Sequence, residues 1–149
     1  MNYYTKQLKE LTSEQFYRIA QLRISVFVVE QNCPYQEIDT LDEIAWHIWL
    51  EDEKDNIVGY TRVINYEDYA SFGRVLIAPT YRNSGLGKSL VAHTISFINE
   101  KYPNQPIVIS GQAYLKMFYE SFGFQAISDR YLEDNIPHIK MRKVFSSDK

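Results

Sequence analysis

The sequence predicts an α+β fold in which helices flank a mixed sheet. Three observations carry this: two β-rich runs, 46–51 and 57–64, joined by a polar turn; a third apolar run ending at Ile77; and a helix, strand, helix, strand order after it. Hairpin-linked strands followed by alternating elements indicate neither a bundle nor a sandwich. At 149 residues the chain is most simply one domain spanning 1–149, large enough for a substantial single core.

Residues Tyr3 to Leu8 suit a short edge strand. Thr12-Ser13-Glu14-Gln15 then reads as a capping box that starts a helix, with Phe16, Ile19, Ala20, Val26 and Phe27 on its buried face. Arg23 falls on or beside that face, so it needs a carboxylate or carbonyl partner. From Glu30 to Ala45 the periodicity breaks into a stretch with five carboxylates and no Lys or Arg, either a solvated acidic loop or a lip that attracts an amine. Trp46 to Glu51 and Ile57 to Ile64 form the predicted hairpin, and Gly73 to Ile77 continues the sheet. Leu86, Leu90, Thr94 and Phe97 share one side of a helix reaching about Asn99. Ile107 to Ser110 is a short buried strand that Gly111 is expected to break, with Gln112 to Phe122 as the next helix and Gly123 as its stop. Phe124 to Ser128 and Ile139 to Val144 close the sheet.

Composition narrows the function. A net charge of −3 and the absence of a basic cluster argue against a nucleic-acid surface. No apolar run approaches a membrane span and the N-terminus lacks a signal peptide, so a cytoplasmic protein with no membrane partner is expected. One cysteine, Cys33, and three scattered histidines give no intrachain disulfide and no metal-ligand spacing. Cys33 also lacks an evident His or helix N-terminus to activate it as an acyl carrier.

The informative stretch is Arg82-Asn83-Ser84-Gly85-Leu86-Gly87-Lys88-Ser89, a strand-to-helix turn. Two glycines allow an anion to approach the backbone, and the first N–H groups of the helix point at it. A nucleotide P-loop would need glycine where Arg82 stands, and a dinucleotide fingerprint would need it at Leu90. The pattern that fits without a gap is R-x-x-G-x-G. It is followed after one strand by Tyr119-Glu120-Ser121-Phe122-Gly123-Phe124, a Y-x-x-x-G-F segment.

These two motifs, in this order, resemble those of the GNAT (GCN5-related N-acetyltransferase) superfamily. Val28 to Tyr35, Asp39, His47, Gln112 to Leu115 and Glu133 to Ile139 extend the resemblance over nearly the whole chain to its ElaA-like subgroup. The resemblance implies a mostly antiparallel central sheet splayed between the fourth strand and the next, and acetyl-CoA as donor co-substrate without a metal. It implies an N-acetyltransferase in which a primary amine of a small molecule or peptide attacks the thioester directly. A non-catalytic acyl-CoA-binding regulatory module is the alternative, and a homodimer is left open.

Carried onto this chain, the resemblance assigns the pyrophosphate to the backbone from Asn83 to Lys88, with Ser84, Gly85, Leu86 and Gly87 inside that span and the side chains of Arg82 and Ser89 beside it. Main-chain groups of Val75, Leu76 and Ile77 would orient the thioester, and Gln112 stands where the family often has Asn. Tyr119 matches the general-acid position, although its helical spacing equally suits a core residue. Glu30, His47 and His138 are candidates for the base, water being another, with Glu37 and Asp39 as attracting charges. Arg62 and Arg74 either bind a substrate carboxylate or pair with those acids.

Overall fold

A computed structural model describes residues 1–144. Its sheet has eight strands: β1 (Asn2–Gln7), β2 (Trp46–Glu51), β3 (Ile57–Asn65), β4 (Ala70–Ile77), β5 (Ile107–Gln112), β6 (Gln125–Ala126), β7 (Tyr131–Glu133) and β8 (Ile136–Lys143). The order is β1-β2-β3-β4-β5-β8-β6, with β7 also on β8. Every pairing is antiparallel except β4 with β5, which is parallel. That one pairing decides the architecture. It consists of Ala70 opposite Ile107, so β4 and β5 diverge from there toward their C-terminal ends.

Three helices pack on this sheet: α1 (Ser13–Ile24), α2 (Leu86–Lys101) and α3 (Lys116–Glu120). Thr12 and Gln15 form the expected capping box at the start of α1, each bond 3.0 Å long. After Ile24 the helix widens into π-type turns over Ser25–Glu30, with Cys33 N bonding Val28 O at 3.0 Å. Such widened turns are frequent at functional sites. Alternation along β2 sorts the core onto two faces. Ile48 joins Val63, Leu90, Ile98 and Met141 on the α2 face, whereas Trp49 joins Ile19, Phe27, Tyr60 and Leu76 under α1.

The structure changes several of the expected elements. Gly111 does not break β5, which runs on to Gln112, with Gly111 opposite Ile139. A Cβ on Gly111 would lie 3.0 Å from the Tyr119 ring, so its small size answers to side-chain packing rather than to a turn. The third helix begins only at Lys116, after a 3₁₀ turn over Ala113–Leu115, because the strand uses the residues before it. β7 has no counterpart among the expected strands. It forms a hairpin with β8 through Asp134 and Asn135, both at positive φ, the geometry that two-residue hairpin loops favour.

Candidate active site

The acidic stretch is neither a solvated loop nor a free lip. Glu37 and Asp42 are buried and Asp39 partly so, and their cationic partners lie outside the stretch. Arg23, fully buried, gives Nε to Glu37 at 2.9 Å and Nη1 to Asp42 at 2.7 Å. Arg62 on β3 forks onto Asp39, and Arg74 on β4 binds Glu37 at 2.9 Å. Arg74 reaches it through a β-bulge: Tyr60 faces Leu76 and Arg62 faces Gly73, leaving an extra residue on β4, where Arg74 takes φ +54°. Burial opposes the charge on Asp42, but the Arg23 hydrogen bond and charge outweigh it and hold the carboxyl below its ordinary range. Arg62 and Arg74 are thus committed to Asp39 and Glu37 rather than free for a substrate carboxylate.

His47 belongs to the same structural unit, which corrects its candidacy as a base. It is fully buried; Nε2 donates to the Asp42 carbonyl at 3.0 Å, and Nδ1 accepts from the Tyr60 hydroxyl at 2.6 Å. Tyr60 in turn accepts from Arg23 at 3.2 Å. Burial lowers the imidazole's pKa and favours this neutral form. Both ring nitrogens are used.

Glu30 ends the π-type turns, and its carboxylate forks onto Arg82. The Arg82 hydrogen bond lowers the pKa of Glu30, which makes it a weak proton acceptor. The fork also turns Arg82 toward Glu30, while its Nε donates to the Ile77 carbonyl at 3.1 Å. Ser89 is engaged as well, its hydroxyl meeting that of Tyr3 at 2.6 Å. Lys88 remains exposed at the loop.

The loop itself has the form of an anion cradle. Tyr81 anchors its start by donating to Asp52 at 2.8 Å, and Asn83 and Gly85 take φ of 62° and 83°. Gly85 caps α2 without a side-chain bond, and the first amide turned back into the helix is that of Ser89. The amides of Leu86, Gly87 and Lys88 therefore have no intrahelical acceptor. A Cβ at Gly85 would meet nothing within 4 Å, and one at Gly87 only Ile77 at 3.8 Å, so the glycines leave open space above these amides. Next to the cradle, β4 past Ala70, including Val75, Leu76 and Ile77, has no β5 partner. These features fit a CoA pyrophosphate and pantetheine arm.

On the α2 face Tyr119 packs between Gly111, Phe72, Phe118 and Phe124. It is 5% exposed, and burial raises its phenol's pKa, so it stays a neutral donor. On the other face, Gln112 at the end of β5 pairs with His138 on β8. The structure also joins Ser110, Tyr131 and Glu133 to His138, residues that the sequence reading did not single out. Ser110 and Tyr131 share a hydrogen bond, Ser110 donates to Glu133 at 3.1 Å, and Glu133 lies 3.9 Å from His138 Nε2. The Asp-Asn turn between two β-prone runs was the available signal for this hairpin. Cys33 closes that side by donating Sγ–H to the Asp134 carbonyl at 3.2 Å.

Comparison with known proteins agrees with this geometry. Residues 7–145 match the model of the acetyltransferase (GNAT) domain. Protein ElaA of Escherichia coli is 39% identical over 142 residues, covering 90% of each chain. Its crystal structure superposes with a TM-score of 0.91, and that of an acyl-CoA N-acyltransferase from Pseudomonas aeruginosa does so equally, at 35% identity over 96% of this chain and 99% of the other. An aminoglycoside 6'-N-acetyltransferase complexed with coenzyme A shares the fold alone, at 13% identity, a TM-score of 0.70 and coverage of 95% and 96%.

Proposed function

Because the chain belongs to the GNAT acetyltransferase family, we propose that it is an acetyl-CoA-dependent N-acetyltransferase acting on a primary amine of a small molecule or peptide by direct attack. The observation that carries this reading is the divergence of β4 from β5 beyond Ala70 and Ile107, with the uncapped start of α2 at the cradle beside it. Acetyl-CoA supplies an activated acetyl thioester when bound there.

The amides of Leu86, Gly87 and Lys88 hold the pyrophosphate, aided by the helix dipole and the Lys88 charge. Backbone groups of Val75, Leu76 and Ile77 align the pantetheine arm and polarise the thioester oxygen. Tyr119 supplies a hydrogen bond or a proton to the departing sulfur. Arg82 positions the loop through Glu30 and Ile77 rather than serving as the main phosphate ligand. Cys33 as a free thiol supports a reducing compartment, and with it the cytoplasm.

Calorimetry with CoA and acetyl-CoA, combined with thiol release across a panel of primary amines, tests the reading. Binding of both, with thiol released only when an amine is present, is expected. Binding without release for any amine would favour a regulatory acyl-CoA module instead.

A further inference from the structure

An ammonium ion must lose a proton before its nitrogen can attack a carbonyl, and the base for this step is a separate matter from how the donor is held. Glu30 and His47 are spent on Arg82, Tyr60 and Asp42. His138 is not. Its Nδ1 lies 2.7 Å from the Ile136 carbonyl. A carbonyl only accepts, so the neutral ring carries its proton on Nδ1 and presents a lone pair at Nε2.

The surroundings of that nitrogen are organised. Strand alternation sends Gly111 and Ile139 toward Tyr119 and the α2 face, and Ser110, Gln112 and His138 toward the opposite face. There Glu133 lies 3.9 Å from His138 Nε2, and its other oxygen accepts from Ser110 at 3.1 Å. Ser110 also meets the Tyr131 hydroxyl, and Tyr131 stands directly opposite His138 in the β7–β8 register. The Cys33 bond to Asp134 lays the segment after α1 against this hairpin and leaves His138 8% exposed. The charged and titratable groups on this side are Glu133 and Tyr131 from β7, Lys140 and Arg142 on its own strand, and Cys33, Asp134 and Tyr35 around the turn. From β5 come only the uncharged Ser110 and Gln112. Tyr119 and His138 thus flank the end of β5 from opposite faces.

We infer that His138 is the catalytic base and that Glu133, fixed by Ser110 and Tyr131, is its positioning and charge partner; this rests on the acetyltransferase reading. His138 Nε2 takes one proton from the acceptor ammonium, and the freed lone pair forms the C–N bond at the acetyl carbonyl. The C–S bond breaks with its electron pair going to sulfur. The second nitrogen proton reaches that sulfur directly or through Tyr119, and His138 returns its proton to solvent. One amide, one thiol and one released proton result. Glu133 compensates the imidazolium while the charge lasts.

The test follows thiol release from acetyl-CoA with spermidine, phenethylamine and L-lysine between pH 5.5 and 9. For His138→Gln, kcat/KM is expected to fall about 100-fold with loss of the acid limb, while acetyl-CoA affinity by calorimetry stays within about twofold; added imidazole partly restores a His138→Ala enzyme. Glu133→Gln, at a more exposed position that folding tolerates, is expected to lower kcat about fivefold with acetyl-CoA affinity unchanged, and Glu133→Asp to recover part of it, because the imidazolium formed in the reaction loses its neighbouring negative charge. A His138→Gln enzyme with wild-type rate and limb overturns the inference, as does a Glu133→Gln enzyme with wild-type kcat. Wild-type protein that releases no thiol with any of the amines overturns the parent reading, and this inference with it.

Discussion

The Glu30 carboxylate forks onto the Arg82 guanidinium at 2.5 and 2.8 Å and joins the end of the α1 extension to the glycine loop, 52 residues further along the chain. The pair neutralises a cation that would otherwise add its field to the α2 N-terminus. Glu30→Gln removes the counter-charge and leaves Arg82 positioned by Ile77. CoA affinity is therefore expected to rise about three- to fivefold at low ionic strength, an effect that salt should erode. Arg82→Ala should weaken binding. Calorimetry at two salt concentrations reads both.

Gly87 separates what the fold needs from what the ligand needs. Nothing in the protein opposes a methyl group there, the nearest atom being Ile77 Cγ1 at 3.8 Å, and alanine is a better helix former. Gly87→Ala should leave the melting temperature unchanged or slightly raised, yet weaken CoA at least tenfold, because the methyl occupies the space above the amides. Gly85→Ala differs: φ of 83° strains any L side chain by about 1 kcal/mol, so stability and affinity should fall together. Thermal melts beside calorimetry distinguish the two positions.

The contrast between these glycines and the acidic stretch shows where the sequence is legible. Local rules worked where neighbours in sequence decide the structure: the Thr12 cap, the glycine turn before α2 and the hairpin of β2 with β3 all stand as expected. The need of Arg23 for a partner was also readable, but not the partners, since Glu37 and Asp42 lie 14 and 19 residues away in a segment without helical or strand periodicity. Gly111 misled for a related reason. Its small size answers to the Tyr119 ring arriving from another element, which no local pattern records. The Ser110, Tyr131, Glu133 and His138 group depended on a hairpin whose strand β7 has three residues, too short for alternation to be visible.

Tyr119 packs on Phe118 and Phe124 with ring centroids 5.2 and 6.1 Å away, contacts that phenylalanine keeps. Tyr119→Phe should fold with a melting temperature within a few degrees of wild type, retain CoA affinity and lose about 10- to 100-fold in kcat. Burial raises the phenol's pKa, so its proton stays in place throughout the usual assay range and this group adds no alkaline limb below about pH 10. Gly111→Ala pushes the same ring and should lower both kcat and stability. Steady-state rates and thermal melts check all three statements.

Removing Arg23 leaves Glu37 and Asp42 buried without their shared cation. Arg23→Met should destabilise the fold by roughly 3–5 kcal/mol in urea melts, the usual cost of breaking a buried pair from one side. Asp39 and Asp42 have folded pKa values below the ordinary 3.8. Their contribution is complete above that value and disappears as pH falls through the folded ones, so it is an acid-limb effect.

His47 brings a second pH dependence nearer neutrality, with a cause in the same network. Its neutral form completes a chain in which Arg23 donates to Tyr60, Tyr60 to His47 Nδ1, and His47 Nε2 to the Asp42 carbonyl. Protonation at Nδ1 would take away the acceptor of the Tyr60 hydroxyl and place a third cation near Arg23 and Arg62. Burial, followed by those two arginines, accordingly holds the folded imidazole below its ordinary value of 6.5, although the Asp42 carbonyl and carboxylate work the other way. Below pH 6.5 the unfolded chain takes up a proton that the folded chain still refuses. Stability is therefore complete above pH 6.5 and is lost as pH falls from there through the folded value. His93, stacked on Tyr3 at 4.0 Å, is shifted in the same direction by burial, so the two must be separated by substitution. In melts between pH 5 and 7.5, His47→Gln should start from lower stability and show a clearly flattened slope, while His93→Gln removes only a smaller part of it. An unchanged slope in His47→Gln would mean that the chain through Tyr60 tolerates the charged ring.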